Sequence, residues 1–458
     1  MGLSRVITFF IFLILGELKL RFLIDFQFPG AFYPSPLNLS NHGDDWILRP
    51  EDITAVGLRQ MYIAGRDFRS RFIDNISLLS PQYNGFEIYS RSFYYNSSYA
   101  VRAAYAKLAG IYIAGSGPSI DLSLVPNARP PISNWNNYTK YEAELRDAAV
   151  YKYYQPIPVH VSSYGPDYML DAYTECPMID FMIKNATANN GKLIVTIENL
   201  EKEMNSLYKQ LGKCFDCSAN VWNIFKADYH YRYLQSQLYE GVLPSDCKDI
   251  DFTKYGKLHN FVLHNVTHAH PNGTILLNNE LYKFLVTNLN GIPVVDNDQF
   301  MPYEKKLKYI FLTMNEQLMN SIYFDFFNNS PNDSIRYASL LQAQISKRTD
   351  KLNGNQLSDY NVSFIYNGNP INYKNTSIPS IGLDQWVHDI QKNLINDVNN
   401  TCMNVPSPLD YHHYLIVSYY FYFILLAIMI GSWLGVTLQK IKISVEPTED
   451  TIGTLPSL

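Results

Sequence analysis

The chain is 458 residues long, 47% hydrophobic and 17% charged, with a formal net charge of −5. That length holds a large core and roughly two to three domains, and the charge leaves no basic footprint for nucleic acid. Tyrosine is common, with 36 copies, a compositional bias rather than a functional signal.

The N-terminus reads as a secretory signal over 1–16. Arg5 is the basic n-region, Val6 to Leu15 is an apolar core too short to cross a bilayer, and Gly16 is a cleavage point. The largely apolar run Phe22-Leu23-Ile24-Asp25-Phe26 predicts a buried first strand ending at about Phe28. Phe28-Pro29-Gly30-Ala31-Phe32-Tyr33-Pro34 follows it. Glu51 to Phe72 has helical periodicity, with Ile53, Val56, Met61, Ala64, Phe68 and Phe72 on one broad face. Phe86 to Ser90 predicts a second strand. Ser97 to Tyr112 predicts a helix with Ser97 or Ser98 as N-cap. Strand, helix, strand, helix at this spacing predicts parallel α/β structure.

From about Pro118 the pattern turns loopier, and Asp180 to Tyr239 reads as mainly helical, an inserted cap. His259, His264, His268 and His270 form the one histidine-rich segment. Pro271 and Gly273 mark a turn, and Asn265 and Asn272 start glycosylation sequons, so the segment reads as a solvated loop rather than a metal site. Leu307 to Met314 returns to strand, Glu316 to Phe327 to helix, and Asn361 to Tyr366 is a strand entering a hairpin at Gly368. Tyr414 to Leu438 is 25 residues without a charge, enough to span a bilayer as a helix. Lys440 and Lys442 follow and predict a cytoplasmic tail over 439–458.

The Phe28–Pro34 stretch resembles the Arg-His-Gly-x-Arg-x-Pro signature of histidine acid phosphatases. Gly30, Tyr33 and Pro34 stand where that signature puts them. Ile53-Thr54-Ala55-Val56-Gly57-Leu58-Arg59-Gln60 is similar to the family's Leu-Thr-x-x-Gly-x-x-Gln helix. Tyr154 to His160 (YQPIPVH), Asp167-Tyr168-Met169-Leu170 and Cys176-Pro177 are further matches, so the resemblance runs from about Phe22 to Leu394. It implies an α/β fold: a central mixed, mostly parallel sheet flanked by helices, with an inserted helical cap. The ectodomain would span 20–400, its core about 20–117 and 300–395 and its cap about 118–299.

The resemblance also implies acid hydrolysis of phosphate monoesters through a phosphohistidine, without cofactor or metal. That reaction needs an imidazole nucleophile, guanidiniums around the phosphoryl oxygens and an acid for the leaving alcohol. Here Phe28 and Phe32 replace two arginines and Pro29 replaces the nucleophile. Tyr99, or Ser97 in another register, replaces a later arginine, and Asn315-Glu316 replaces the His-Asp pair. Arg91 and Arg102 lie nearby and read as solvated surface. The expected function is a catalytically inactive, membrane-anchored protein with a binding or structural role. The alternatives are an acid phosphatase with atypical site residues, or a pocket of aromatics that takes an apolar ligand. Partners are the membrane and an unidentified ligand or protein, not nucleic acid.

Signal and span together predict a type I protein, its ectodomain outside the cell or in the lumen of the secretory or lysosomal pathway. Sequons start at Asn38, Asn75, Asn96, Asn137, Asn185, Asn265, Asn272, Asn328, Asn332, Asn361, Asn375 and Asn399. In an oxidising compartment Cys176, Cys214, Cys217 and Cys247 allow two disulfides in three pairings, leaving Cys402 free. Cys214-x-x-Cys217 reads as part of a structural bridge rather than a redox motif.

Overall fold

The computed structural model describes residues 19–33, 52–94, 98–130, 138–162, 165–266, 271–292, 306–328, 335–348, 356–376, 379–392 and 394–405. The expected signal, the span at 414–438 and the tail lie outside these residues. No helix among the described residues is long and apolar enough to cross a membrane.

In order come β1 (Lys19–Gln27), α1 (Ala55–Arg69, continuing as a π-helical turn, Ser70–Asn75), β2 (Ile88–Ser92) and α2 (Tyr99–Ile111). A helical stretch follows: α3 (Tyr138–Leu145), α4 (Ala172–Glu175), α5 (Pro177–Asn189), α6 (Gly191–Glu203), α7 (Asn205–Cys214), α8 (Ile224–Glu240), α9 (Phe252–Phe261) and α10 (Pro271–Asn290). The chain then returns to the sheet with β3 (Tyr309–Thr313), α11 (Glu316–Phe327), β4 (Leu340–Lys347), β5 (Tyr360–Tyr366), β6 (Asn369–Ile371) and β7 (Ser380–Gly382). It closes with α12 (Leu383–Gln391) and α13 (Val398–Met403).

The sheet order is β2-β3-β1-β4-β5-β6, with β7 also on β5. The expectation of a mostly parallel sheet is corrected. Among the described strands only β1–β3 and β2–β3 pair in parallel; the pairings of β4 with β1 and β5, and of β5 with β6 and β7, are antiparallel. Among the described residues no α-helix stands between successive strands of the second half of the sheet. β5 turns into β6 at Asn367-Gly368, whose φ values of 47° and 84° are those of a tight hairpin turn. Two boundaries also move: β2 starts at Ile88 rather than Phe86, and α1 starts after Thr54.

Every residue of β3 is buried, as a central strand covered on both faces requires. Alternate residues feed two cores. Leu23, Tyr309 and Phe311 pack with Met61 and Phe68 of α1 and Leu108 of α2. Ile24, Phe26, Ile310 and Leu312 pack with Ile322 and Phe326 of α11 and Trp386 of α12. A third core, with Leu207, Leu211, Leu234 and Tyr255, lies within the helical stretch.

A buried ion pair crosses the sheet–helix interface. Lys107 Nζ donates to Asp25 Oδ2 and Gln27 Oε1, both at 2.7 Å, and neither Lys107 nor Asp25 is exposed. Asp25 also accepts from Tyr309 Oη (2.8 Å) and Gln342 Nε2 (2.7 Å). Burial lowers the pKa of Lys107, and the Asp25 charge opposes the shift.

The disulfides are Cys176–Cys402 and Cys214–Cys247, with Cys217 free. The expectation that Cys402 is the odd thiol is therefore overturned. Cys402 lies on α13, which packs against α5, and Cys176 immediately precedes α5. Sequence distance gave no hint of that meeting.

Removing one member of a buried pair strands the other's charge and typically costs about 3–5 kcal/mol. Lys107→Met should therefore destabilise the fold by about that amount in urea unfolding. The double change Asp25→Asn, Lys107→Met should recover part of the loss, because the amide oxygen still accepts from Tyr309. A loss under about 1 kcal/mol for the single change would show that the pair is not needed.

Candidate active site

The carboxyl ends of three strands lie side by side. Phe28 follows β1, Phe93 follows β2 and Met314-Asn315 follow β3. Met314 N donates to Gln27 O (3.0 Å) and Phe93 N to Thr313 O (3.2 Å). Open α/β sheets place ligands at such edges.

α1 holds the loop after β1. Thr54 caps it: its hydroxyl oxygen accepts from Gly57 N (2.9 Å) and donates to Ala31 O (3.0 Å). Gln60 Oε1 accepts from Ala31 N (2.9 Å). A Cβ on Gly30 would collide with the Gly57 carbonyl, and one on Gly57 with the Ala31 carbonyl. The Thr-x-x-Gly-x-x-Gln spacing is thus a set of contacts between helix and loop. Pro29 O accepts from Ala338 N (2.8 Å), joining the loop to the approach to β4.

Aromatic rings face one another around this loop. The Phe28 ring stacks with Tyr337 (5.9 Å between centroids, 7° between planes) and meets Phe32 edge-on. Phe32 stacks on Tyr99 (3.9 Å, 13°), and Tyr99 meets Phe93 edge-on. Phe28, Phe93 and Tyr337 are buried; Phe32 and Tyr99 are half-buried. Ser97 lies outside the described residues.

At the end of β3, Asn315 Oδ1 caps α11 by accepting from Leu318 N (2.9 Å), and its amide nitrogen donates to Asp171 Oδ1 (2.5 Å). Glu316, buried, is held from the helical stretch. Arg232 of α8 makes a two-pronged pair with it, Nε donating to Oε2 (2.7 Å) and Nη2 to Oε1. The same guanidinium donates to Gln235 Oε1 and to Ile335 O (2.8 Å) and lies 5.0 Å from the Phe28 ring centroid. One helical turn on, Ser236 Oγ donates to Phe32 O (2.7 Å). Burial lowers the Arg232 pKa, yet a guanidinium starts high enough to stay charged.

His259 of α9 bridges Asp228 Oδ1 (2.6 Å, through Nδ1) and Glu316 Oε1 (3.0 Å, through Nε2). The reading of its segment as a solvated loop is corrected at this residue: His259 is buried on a helix face, and burial holds its imidazole below the ordinary value. His264 is half-buried, while His268 and His270 lie outside the described residues. The surface reading is also corrected for Arg91, which pairs with buried Asp167 at 2.8 Å. Arg102 is exposed and pairs with Asp52. Arg232, Asp228, Asp171 and Tyr337 were not singled out from the sequence. Only Asp171 carried a signal, directly after Asp167-Tyr168-Met169-Leu170.

No protein-family model matches the sequence, and no curated protein matches it. Solved structures do. The phytase from Citrobacter braakii aligns over 84% of this chain and 100% of its own, at 12% identity and a TM-score of 0.56. Hafnia alvei phytase in complex with myo-inositol hexakis sulphate aligns over 85% and 99%, at 12% identity and a TM-score of 0.54. The phytase of Klebsiella sp. ASR1 aligns over 85% and 100%, at 11% identity and a TM-score of 0.51. The chain shares its fold with these phytases. In this chain the fold carries Phe28, Pro29 and Phe32 after β1, Tyr99 at the start of α2, and Asn315-Glu316 after β3.

Asp171 is the titratable group beside these strand ends with the clearest consequence. Burial raises its carboxyl from the ordinary 3.8 to about 7, against the hydrogen bonds from Thr174 and Asn315. Between about pH 4 and 7 the unfolded chain has released this proton while the folded chain keeps it. Stability therefore falls as pH rises through that window, by up to about 4 kcal/mol. Asp171→Asn keeps an oxygen for Asn315 and should remove this slope. Denaturant midpoints measured at pH 4.5 and 7.5 check it; an unchanged slope would assign the pH dependence elsewhere.

Proposed function

We propose that this chain is a membrane-anchored, histidine acid phosphatase-like protein that does not hydrolyse phosphate monoesters and serves a binding or structural role. The observation that carries this reading is the Arg232–Glu316 pair. The carboxyl best placed to protonate a leaving alcohol already gives both oxygens to a guanidinium and one to His259. A phosphoryl group reaching for Arg232 competes with that carboxylate and meets its negative charge. It also meets the rings of Phe28 and Phe32, which offer no hydrogen-bond donor in place of the water it gives up. Pro29 has no side-chain lone pair to accept a phosphoryl group.

The full-length protein, free of contaminating phosphatases, should show no turnover of a generic phosphomonoester near pH 5 beside an active phytase, and no trapped phosphoenzyme. Pro29→His alone should stay at the blank, because the rings and the Arg232–Glu316 pair remain. Losing one electrostatic donor costs roughly 10²–10³ in rate, and here several are replaced together. Turnover by the unmodified protein that falls on Glu316→Ala would overturn the reading in favour of an acid phosphatase with Glu316 as its acid.

The membrane part of the proposal rests on the uncharged run 414–438 with Lys440 and Lys442 behind it. Glycosidase should increase the mobility of the full-length protein on a gel, and protease should remove the tail of protein held in sealed vesicles. Unmodified sequons together with a protected tail would reverse the orientation.

A further inference from the structure

A concavity opens beside β2, the end strand of the sheet. It is a cleft of about 810 Å³ between the edge of β2, the turn at 166–169, α10 and the start of α13. Clefts of this size bury small ligands. The side chains that matter are Arg91 and Asp167, Lys283 and Glu280, Phe284, and Asn399.

The charges are matched within the cleft. Arg91 pairs with Asp167 (2.8 Å) and Lys283 with Glu280 (2.8 Å). The third carboxylate, Asp397, accepts from Asn400 N (2.9 Å) at the start of α13. A multiply charged anion would meet three carboxylates and two cations that already have partners. The pairing is incomplete, however. Asp167 is 5% exposed, yet its Oδ2 has no partner among the described residues, and neither has Arg91 Nε. Both atoms are shut off from solvent, so a ligand in the cleft meets instead the exposed amides of Asn396 and Asn399, which donate and accept as hydroxyls do. The half-buried ring of Phe284, which touches Tyr89 of β2, adds an apolar wall beside the amides of Asn288 and Asn396.

We propose that this cleft binds a neutral saccharide. Weak net charge, mixed donors and acceptors and one aromatic wall are the recognition chemistry of a polyhydroxylated ring. Two sources share that chemistry. One is a free oligosaccharide. The other is this chain's own N-glycan, because exposed Asn399 on the rim starts the sequon Asn399-Asn400-Thr401. The second source rests on the lumenal topology proposed above.

Binding is measured on the full-length protein in detergent by saturation-transfer NMR and calorimetry, with N,N′-diacetylchitobiose, mannotriose and inositol hexakisphosphate as probes. The expected result is saturable binding of a neutral saccharide. It should weaken at least tenfold in Phe284→Ala and vanish in Thr287→Trp, which blocks the cleft from an exposed rim position without touching the core. Binding by the unmodified protein identifies a free saccharide as occupant, and binding that appears only in Asn399→Gln identifies the chain's own glycan. If the chain carries no glycan but still binds, the cleft stands and the topology fails. No neutral saccharide binding in either form, binding of the hexakisphosphate alone, or binding untouched by Thr287→Trp overturns the proposal.

Discussion

A buried carboxylate at the first turn of α11 sets the terms for everything around it. Glu316 is 5% exposed and would be costly there without a cation. The sheet supplies none at that point, so the cation comes from α8, more than 80 residues earlier in the chain. Pairing them fixes the rotation of α8. Arg232 and Ser236 then face the same way, one on Glu316 and Phe28, the other on the carbonyl of Phe32. Buried ion pairs add little net stability, since desolvation offsets their attraction. What this one supplies is geometry: a docked helix whose guanidinium offsets the buried carboxylate at the strand ends.

In the loop between β1 and α1 the backbone and the side chains meet different demands. Gly30 and Gly57 are demanded by two main chains passing too close for a Cβ, and Thr54 and Gln60 by main-chain groups that need partners. Those requirements come from the path of the chain. Phe28, Phe32 and Asn315 sit on the same frame and meet a different requirement. The rings fill space against Tyr337 and Tyr99, and the amide closes a helix end and holds Asp171. Backbone and side chains of this loop answer to separate constraints.

The same separation appears in the rest of the molecule. Lys107 and Asp25 lie inside the core next to β1, and Gln27 passes their hydrogen bonding on to Ala338 and Ser339, the residues leading into β4. The polar core, the strand end and the loop bearing Tyr337 are therefore one connected unit. Cys176–Cys402 closes a loop of 226 residues and ties α13 to the start of α5, giving the cleft at Arg91 and Asp167 its outer wall. A crosslink over so long a loop removes much unfolded-state entropy in the chain-entropy account.

Local rules were enough for what is local. The apolar run at Phe22–Phe26 made a central strand, the periodicity after Thr54 a helix, and Asn367-Gly368 a hairpin, because each depends on neighbours within a turn or two. The Thr54-x-x-Gly57-x-x-Gln60 spacing was also legible, since its contacts lie within one helix and the loop before it. The tertiary structure decided what depends on meetings across the chain: the antiparallel half of the sheet, the partner of Cys176, the burial of His259 and the pairing of Arg91 with Asp167. It also decided the pairing of Arg232 with Glu316, residues 84 apart in sequence. Nothing in a helical pattern distinguishes an arginine that faces water from one that faces a buried carboxylate. The difference lies in which surface the helix is packed against, and long-range packing sets that.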